Sequence, residues 1–118
     1  MVRFRFQNLR IWQQSIDIAD ELFDIADELE RKKLFRFAEQ LRGSGLSMSN
    51  NIAEGSGSTS NREFKQFLNI ARRSLYENAN IIIVLHRREL IPEEEMDNLL
   101  DKLESLSKQI TAFKNKIN

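Results

Sequence analysis

Apolar residues return every three or four positions through most of this 118-residue chain, and a single proline, Pro92, interrupts the pattern. Such spacing lays an apolar stripe along one side of a helix, and the stripe has to be buried against other stripes. From Leu9 to about Glu30 it runs through Trp12, Ile16, Ala19, Phe23 and Ala26, flanked by Leu22 and Leu29, with Asn8 as the expected N-cap. Continued in the same phase it would put Glu30, Lys33 and Gln40 into the seam, so the chain must turn near Arg31 to Lys33. No glycine or proline marks that turn. The second stripe is Leu34, Ala38, Leu41, Gly45, Met48 and Ile52.

Gly55 to Ser60 is a run of small polar residues that reads as a connecting loop outside any core. Ser60 and Glu63 then have the spacing of a capping box, which opens a third helix from about Asn61 to Arg88. Its stripe is Phe64, Leu68, Ala71, Leu75, Asn78, Ile82 and Leu85, widened by Phe67. Ile81 to Val84 alone would favour a strand, but the long four-three register before it outweighs that local preference. Pro92 fits the first position of a fourth helix, where its missing N–H costs nothing, and Glu93, Glu94 and Glu95 suit the positive end of the helix dipole. That helix carries Met96, Leu99, Leu103, Leu106, Ile110, Phe113 and Ile117. Four such helices joined by short links predict an all-α protein, an up-down-up-down antiparallel four-helix bundle forming one domain over 1–118.

Much chemistry is excluded by residue inventory. With no cysteine there is no disulfide framework, zinc knuckle, iron–sulfur site or thiol nucleophile, which fits a reducing compartment. The one histidine, His86, has Ile83 three positions before it, so the Glu-x-x-His pairs of di-iron bundles do not occur. Ribonucleases built on helical bundles pair an arginine with a histidine four to six residues later. Here the nearest preceding arginines, Arg72 and Arg73, are too distant along the chain. The loop before helix three precedes a helix N-terminus but lacks the lysine of a Walker loop. The longest apolar run, Ile81 to Leu85, is far short of the roughly 20 residues that span a bilayer, and the opening Met1 to Phe6 has no leader pattern. No catalytic residue, metal, cofactor, small-molecule substrate or membrane partner is expected, and the location is expected to be cytoplasmic.

The formal charge is zero with a pI near 6.6, yet it is unevenly distributed. Residues 9–30 hold one arginine and seven carboxylates, while 31–54 hold five cations against two carboxylates and 55–90 six against three; 91–118 hold four cations against six carboxylates. Helices one and four are therefore acidic, two and three basic. Opposite the seam of helix three, Arg62, Gln66, Asn69, Arg73, Tyr76, Asn80 and Arg87 recur at helical spacing. Arginine supplies bidentate phosphate contacts, the amides supply hydrogen bonds, and tyrosine can stack on a base. The same stripe suits a polar subunit interface or bare solvent. Gly43 and Gly45, with Ser44 and Ser47, form a small-residue surface for close helix approach or simply make room for Trp12 or a phenylalanine. Asn78 in the seam either fixes register or lies at its wet end.

Four segments carry a family resemblance: Leu9-Arg10-Ile11-Trp12-Gln13, Gln40-Leu41-Arg42, Ser47-Met48-Ser49-Asn50-Asn51-Ile52-Ala53-Glu54-Gly55, and Phe67-Leu68-Asn69-Ile70-Ala71-Arg72-Arg73-Ser74-Leu75-Tyr76-Glu77. In order and spacing they resemble the 23S rRNA intervening-sequence protein family, also called S23 ribosomal protein, a family of bacterial four-helix bundles. The resemblance implies a ring-like homopentamer without enzymatic activity. A related accessory protein of diversity-generating retroelements binds nucleic acid through basic surfaces and associates with a reverse transcriptase. The resemblance also implies a polar cluster of Asn51, Glu54, Arg72, Ser74 and Glu77 at the ends and flanks of helices two and three, with Glu and Arg paired to each other or to loop backbone. Arg73 stands where the family has glycine, and Ser49 where it has proline. The expected function is a noncatalytic adaptor that partners itself and RNA or DNA, with Arg62, Gln66, Asn69, Arg73, Tyr76 and Arg87 as contacts. The competing expectation is a protein-interaction scaffold.

Overall fold

A computed structural model describes residues 2–117; Met1 and Asn118, the ends of the expected 1–118 domain, lie outside the described residues. After a short 3-10 turn, Arg5–Asn8, come four helices: α1 (Arg10–Arg31), α2 (Phe35–Ser56), α3 (Asn61–Arg87) and α4 (Glu93–Lys116). There is no strand among the described residues. The links of three to five residues force each helix to run back along the one before it, as in the expected all-α bundle. α1 packs on α2, α2 on α3, α3 on α4, and α4 returns to α1, while α1 faces α3 and α2 faces α4 only across the diagonals. The molecule measures 44 × 24 × 24 Å.

The expected seams of α2 and α3 are observed, except that Leu34, just before α2, and Phe67 are only half-buried. Ala38, Leu41, Gly45, Met48 and Ile52 are buried, as are Phe64, Leu68, Ala71, Leu75, Asn78, Ile82 and Leu85. In α4, Leu99, Leu103, Leu106 and Ile110 are buried, and Met96, Phe113 and Ile117 lie at the half-covered ends.

The seam of α1 is displaced from the expected one. Ile11, Ser15, Ile18, Leu22, Ile25 and Leu29 form its buried line, with Ala19 and Ala26 beside it, while Trp12, Ile16 and Phe23 are half-buried along the edge facing α2. The rotation is tolerated because Ser15 satisfies itself, its hydroxyl donating to the Trp12 carbonyl at 2.6 Å. Asn8 is not the N-cap; that position is Leu9, and Asn8 ends the 3-10 turn. The turn is instead fixed by Gln7, whose Oε1 accepts from the backbone of Arg3 and Phe4 at 2.9 Å each. Phe6 stands against Trp12 with ring centroids 5.0 Å apart.

Gly55 and Ser56 are not loop. They form the last buried turn of α2, and a Cβ on Gly55 would stand 2.7 Å from both Phe64 Cδ1 and Phe67 Cβ. The glycine is what lets α3 approach so closely there. Ser60 does cap α3, accepting from the Glu63 amide at 3.2 Å. Pro92 sits one position earlier than expected, as the N-cap of α4.

The two turns at the other end of the bundle share one solution. Leu34 N–H donates to the Leu29 carbonyl and Leu90 N–H to the Leu85 carbonyl, both at 2.9 Å, and Lys33 and Glu89 adopt φ of 65° and 61°. This is the six-to-one bond of a Schellman motif, with lysine and glutamate where glycine is usual. A helix can thus be stopped without a glycine, at the cost of left-handed backbone strain.

Candidate nucleic-acid interface

Arg62, Gln66, Asn69, Arg73, Tyr76, Asn80 and Arg87 are all exposed. Steps of four and three keep them on one line of α3, opposite the buried seam. Arg62, Arg73 and Arg87 take part in no ion pair among the described residues. Other cations are committed. Arg42 reaches Asp27 and Glu30 of α1, each at 2.7 Å, and Lys102 of α4 holds Glu21 at 2.7 Å. Arg31 is bound to Glu28 at 2.6 Å, an arrangement that holds the Glu28 carboxyl below its ordinary value through the hydrogen bond first and the charge second.

Tyr76 is 58% exposed, but one side of its ring is engaged: the Arg72 guanidinium lies 5.2 Å from the centroid. Arg72 also donates to Ser107 Oγ of α4 at 3.2 Å, so it braces the α3/α4 groove. Across that groove stand Asp97, Asp101 and Glu104. The α4 side of the stripe thus holds three carboxylates against Lys108, a flank less favourable to phosphate than the one toward α2.

The residues implied as one polar cluster are divided by the helix. Arg72 and Ser74 are two positions apart on α3 and face opposite flanks. Ser74 faces α2, where its hydroxyl is 2.8 Å from that of Ser47, and Asn51 Nδ2 donates to the Ser47 carbonyl at 2.8 Å. Arg72 faces α4. Glu54 and Glu77 are exposed, with no ion pair among the described residues, so the expected Glu–Arg pairing is replaced by a serine–asparagine ladder.

That ladder has a further rung which settles the reading of Asn78. Its side chain is fully buried, donating from Nδ2 to the Ser44 carbonyl at 3.0 Å and accepting the Ser44 hydroxyl on Oδ1. It sets the register of α2 on α3 and is not at a wet end of the seam. Of the two helical glycines, Gly45 is in ordinary contact with Leu22 and Phe23, its Cβ position 3.4 Å from Leu22 Cδ1, whereas Gly43 meets nothing within 4 Å. Periodicity could not separate these cases, because it reports which face a residue is on and not what stands opposite.

His86 Nδ1 lies 3.2 Å from the Ile91 carbonyl, so the ring ties the end of α3 to the following turn when Nδ1 carries the proton. No group of three or more His, Asp or Glu placed to hold a metal ion occurs among the described residues. None of the described helices is long and apolar enough to cross a membrane. Charge segregation takes a spatial form: acidic α1 and α4 are neighbours on one side, basic α2 and α3 on the other.

No curated protein matches the sequence. A solved structure of a protein of unknown function from the S23 ribosomal protein family of Bacteroides thetaiotaomicron superposes with a TM-score of 0.83 at 24% identity, covering 88% of this chain and 97% of that one. At that identity the likeness speaks to the fold. The sequence matches the description of the 23S rRNA-intervening sequence protein over residues 7–112. That span takes in the serine–asparagine ladder, the Gly55 contact and the α3 stripe, and it makes this chain a member of the 23S rRNA-intervening sequence protein family.

Proposed function

We propose that the protein is a noncatalytic, self-associating four-helix bundle that serves in the cytoplasm as a nucleic-acid- or ribonucleoprotein-associated adaptor. The observation that carries this reading is the line of α3 arginines that form no ion pair among the described residues, Arg62, Arg73 and Arg87, interleaved with the exposed amides of Gln66 and Asn69. Long cations without intramolecular carboxylates keep their full charge for phosphate, and the amides add hydrogen bonds that position a backbone. Membership of a family named for a ribosomal RNA insertion supports the same reading.

Anisotropy titration of labelled RNA and DNA at several salt concentrations tests it. Binding should weaken steeply with salt, and Arg73→Glu should reduce both the affinity and the salt slope. Absence of binding at low salt removes the nucleic-acid role. Self-association into a homopentamer is tested separately by sedimentation, where a 13.9 kDa species at micromolar concentration contradicts it.

A second reading, a protein-interaction scaffold without nucleic acid, is favoured by the exposed apolar side chains Phe35, Leu46, Ile70 and Ile83 together with zero net charge. Retained self-association alongside failed RNA and DNA binding selects it.

A further inference from the structure

Near the end of the bundle where α2 begins and α3 finishes, the two helices leave a groove of about 370 Å³. Its lining is Arg36, Phe37 and Gln40 from α2 and Asn80, Ile81 and Val84 from α3. Phe37, Ile81 and Val84 make an apolar floor that is half or fully covered, while Arg36, Gln40 and Asn80 are exposed at the mouth. Neither side-chain amide is engaged by another group among the described residues, and Arg36 is in no ion pair among them. Arg36 is on α2, and Arg87 follows Val84 by three positions on α3, one turn along the same face. The mouth therefore carries cations on both helices.

Two other inter-helix grooves hold more carboxylates than cations. The one between α1 and α4 has Glu21, Asp24, Glu28 and Glu95 against Lys32, and the one between α3 and α4 has Asp97, Asp101 and Glu104 against Arg72 and Lys108. Both suit a polyanion less than the α2/α3 groove, whose lining has a cation and no carboxylate. The α2/α3 groove joins three features that different ligands would use only in part. A free phosphate would leave the apolar floor unused, and an aliphatic chain would leave the amides unused. A nucleobase has apolar faces and a donor–acceptor edge, and primary amides present a donor and an acceptor side by side. Its flanking phosphates call for the arginines.

We propose that this groove is a subsite for one unpaired base of a single-stranded nucleic acid, the base face against Phe37 and Val84, its edge read by Gln40 and Asn80, and the flanking phosphates held by Arg36 and Arg87. The subsite rests on the adaptor reading and extends it, since it places an unpaired base beside the phosphate-binding line of α3.

The test compares a labelled single-stranded RNA of about 15 nucleotides with an abasic strand of the same length. Wild-type protein should bind the base-bearing strand about tenfold more tightly, a factor in the range that base stacking supplies. Gln40→Ala/Asn80→Ala, two exposed sites whose replacement leaves the core intact, should bring that affinity down to the abasic level with the salt slope unchanged. Far-UV circular dichroism confirms that the variant is folded. If wild type binds both strands equally, or if the double variant loses nothing while Arg73→Glu still weakens binding, the subsite is wrong and the adaptor reading stands. If neither strand binds at low salt, both fall.

Discussion

Asn78 and Ser44 hold each other across the α2/α3 seam by two hydrogen bonds, Asn78 Nδ2 to the Ser44 carbonyl at 3.0 Å and the Ser44 hydroxyl to Asn78 Oδ1 at 2.5 Å. Both residues are buried, and Ser44 keeps a second acceptor in the Gln40 carbonyl at 3.0 Å. The pair acts as a register pin in an otherwise apolar layer. A slip by one residue would strand the amide in hydrocarbon.

Asn78→Ala should therefore cost about 2 kcal/mol, the scale of an emptied, partly unsatisfied buried site. The double change Ser44→Ala/Asn78→Leu should recover much of that, because the hydroxyl and the amide leave together and the Ser44 carbonyl stays within the α2 helix. Urea denaturation of Ser44→Ala, Asn78→Leu and the double variant measures the coupling, and strictly additive costs would show that the two bonds contribute nothing jointly.

Gly55 and Gly43 lie on the same helix and should respond in opposite directions. Gly55→Ala drives a methyl into Phe64 and Phe67, where the approach is 2.7 Å, and should destabilise by about 2 kcal/mol, as overpacking does. Gly43→Ala meets open space and should stabilise by about 1 kcal/mol through helix propensity. Thermal melts of both variants decide this, and equal shifts would mean that close packing at Gly55 is relieved cheaply.

Lys33 and Glu89 bear the strain of the two glycine-free turns. Lys33→Gly and Glu89→Gly should each stabilise the fold by up to about 1 kcal/mol, the left-handed penalty less the extra freedom glycine gives the unfolded chain. Denaturant midpoints that fall in both variants would show that the side chains matter more than the backbone.

Glu28 carries a pH signature. Its carboxyl is held below the ordinary value of 4.5 by the Arg31 hydrogen bond and then by the Arg31 charge. A group depressed on folding contributes stability that is fully present above its unfolded pKa and drains away as pH falls through the lower folded value. Glu28→Gln should thus flatten the acid limb of a midpoint-against-pH curve. Both partners are well exposed, at 68% and 56%, so the difference should shrink in about 1 M salt.

What could be read from residues alone follows from what kind of physics each feature rests on. Every position of the expected α3 line from Phe64 to Leu85 is buried, Asn78 included, because it repeats one register, while Ser74 and Ile81 are buried beside it and Phe67 only half. In α1 two apolar registers run side by side, and the sequence prefers the one with Trp12, Ile16 and Phe23. The structure buries the one containing Ser15, since a serine that bonds to its own helix costs a seam little. Gly55 and Ser56 look like loop by composition, and only the opposing Phe64 and Phe67 make them core. Arg72 was misplaced for a related reason: nearness in a motif says nothing about which of two neighbouring helices a side chain faces. The Phe37 groove left no sequence signal, since its lining comes from two helices about forty residues apart.

The side-by-side placement of α1 with α4 and of α2 with α3 gives a neutral molecule a dipole moment across its width. In dilute salt such a body feels torque before it feels touch, so a polyanion and a cationic partner would each meet it in a preferred attitude, from opposite directions. Raising ionic strength past a Debye length comparable to the 24 Å waist would erase that alignment and slow encounter, even where the final contacts survive.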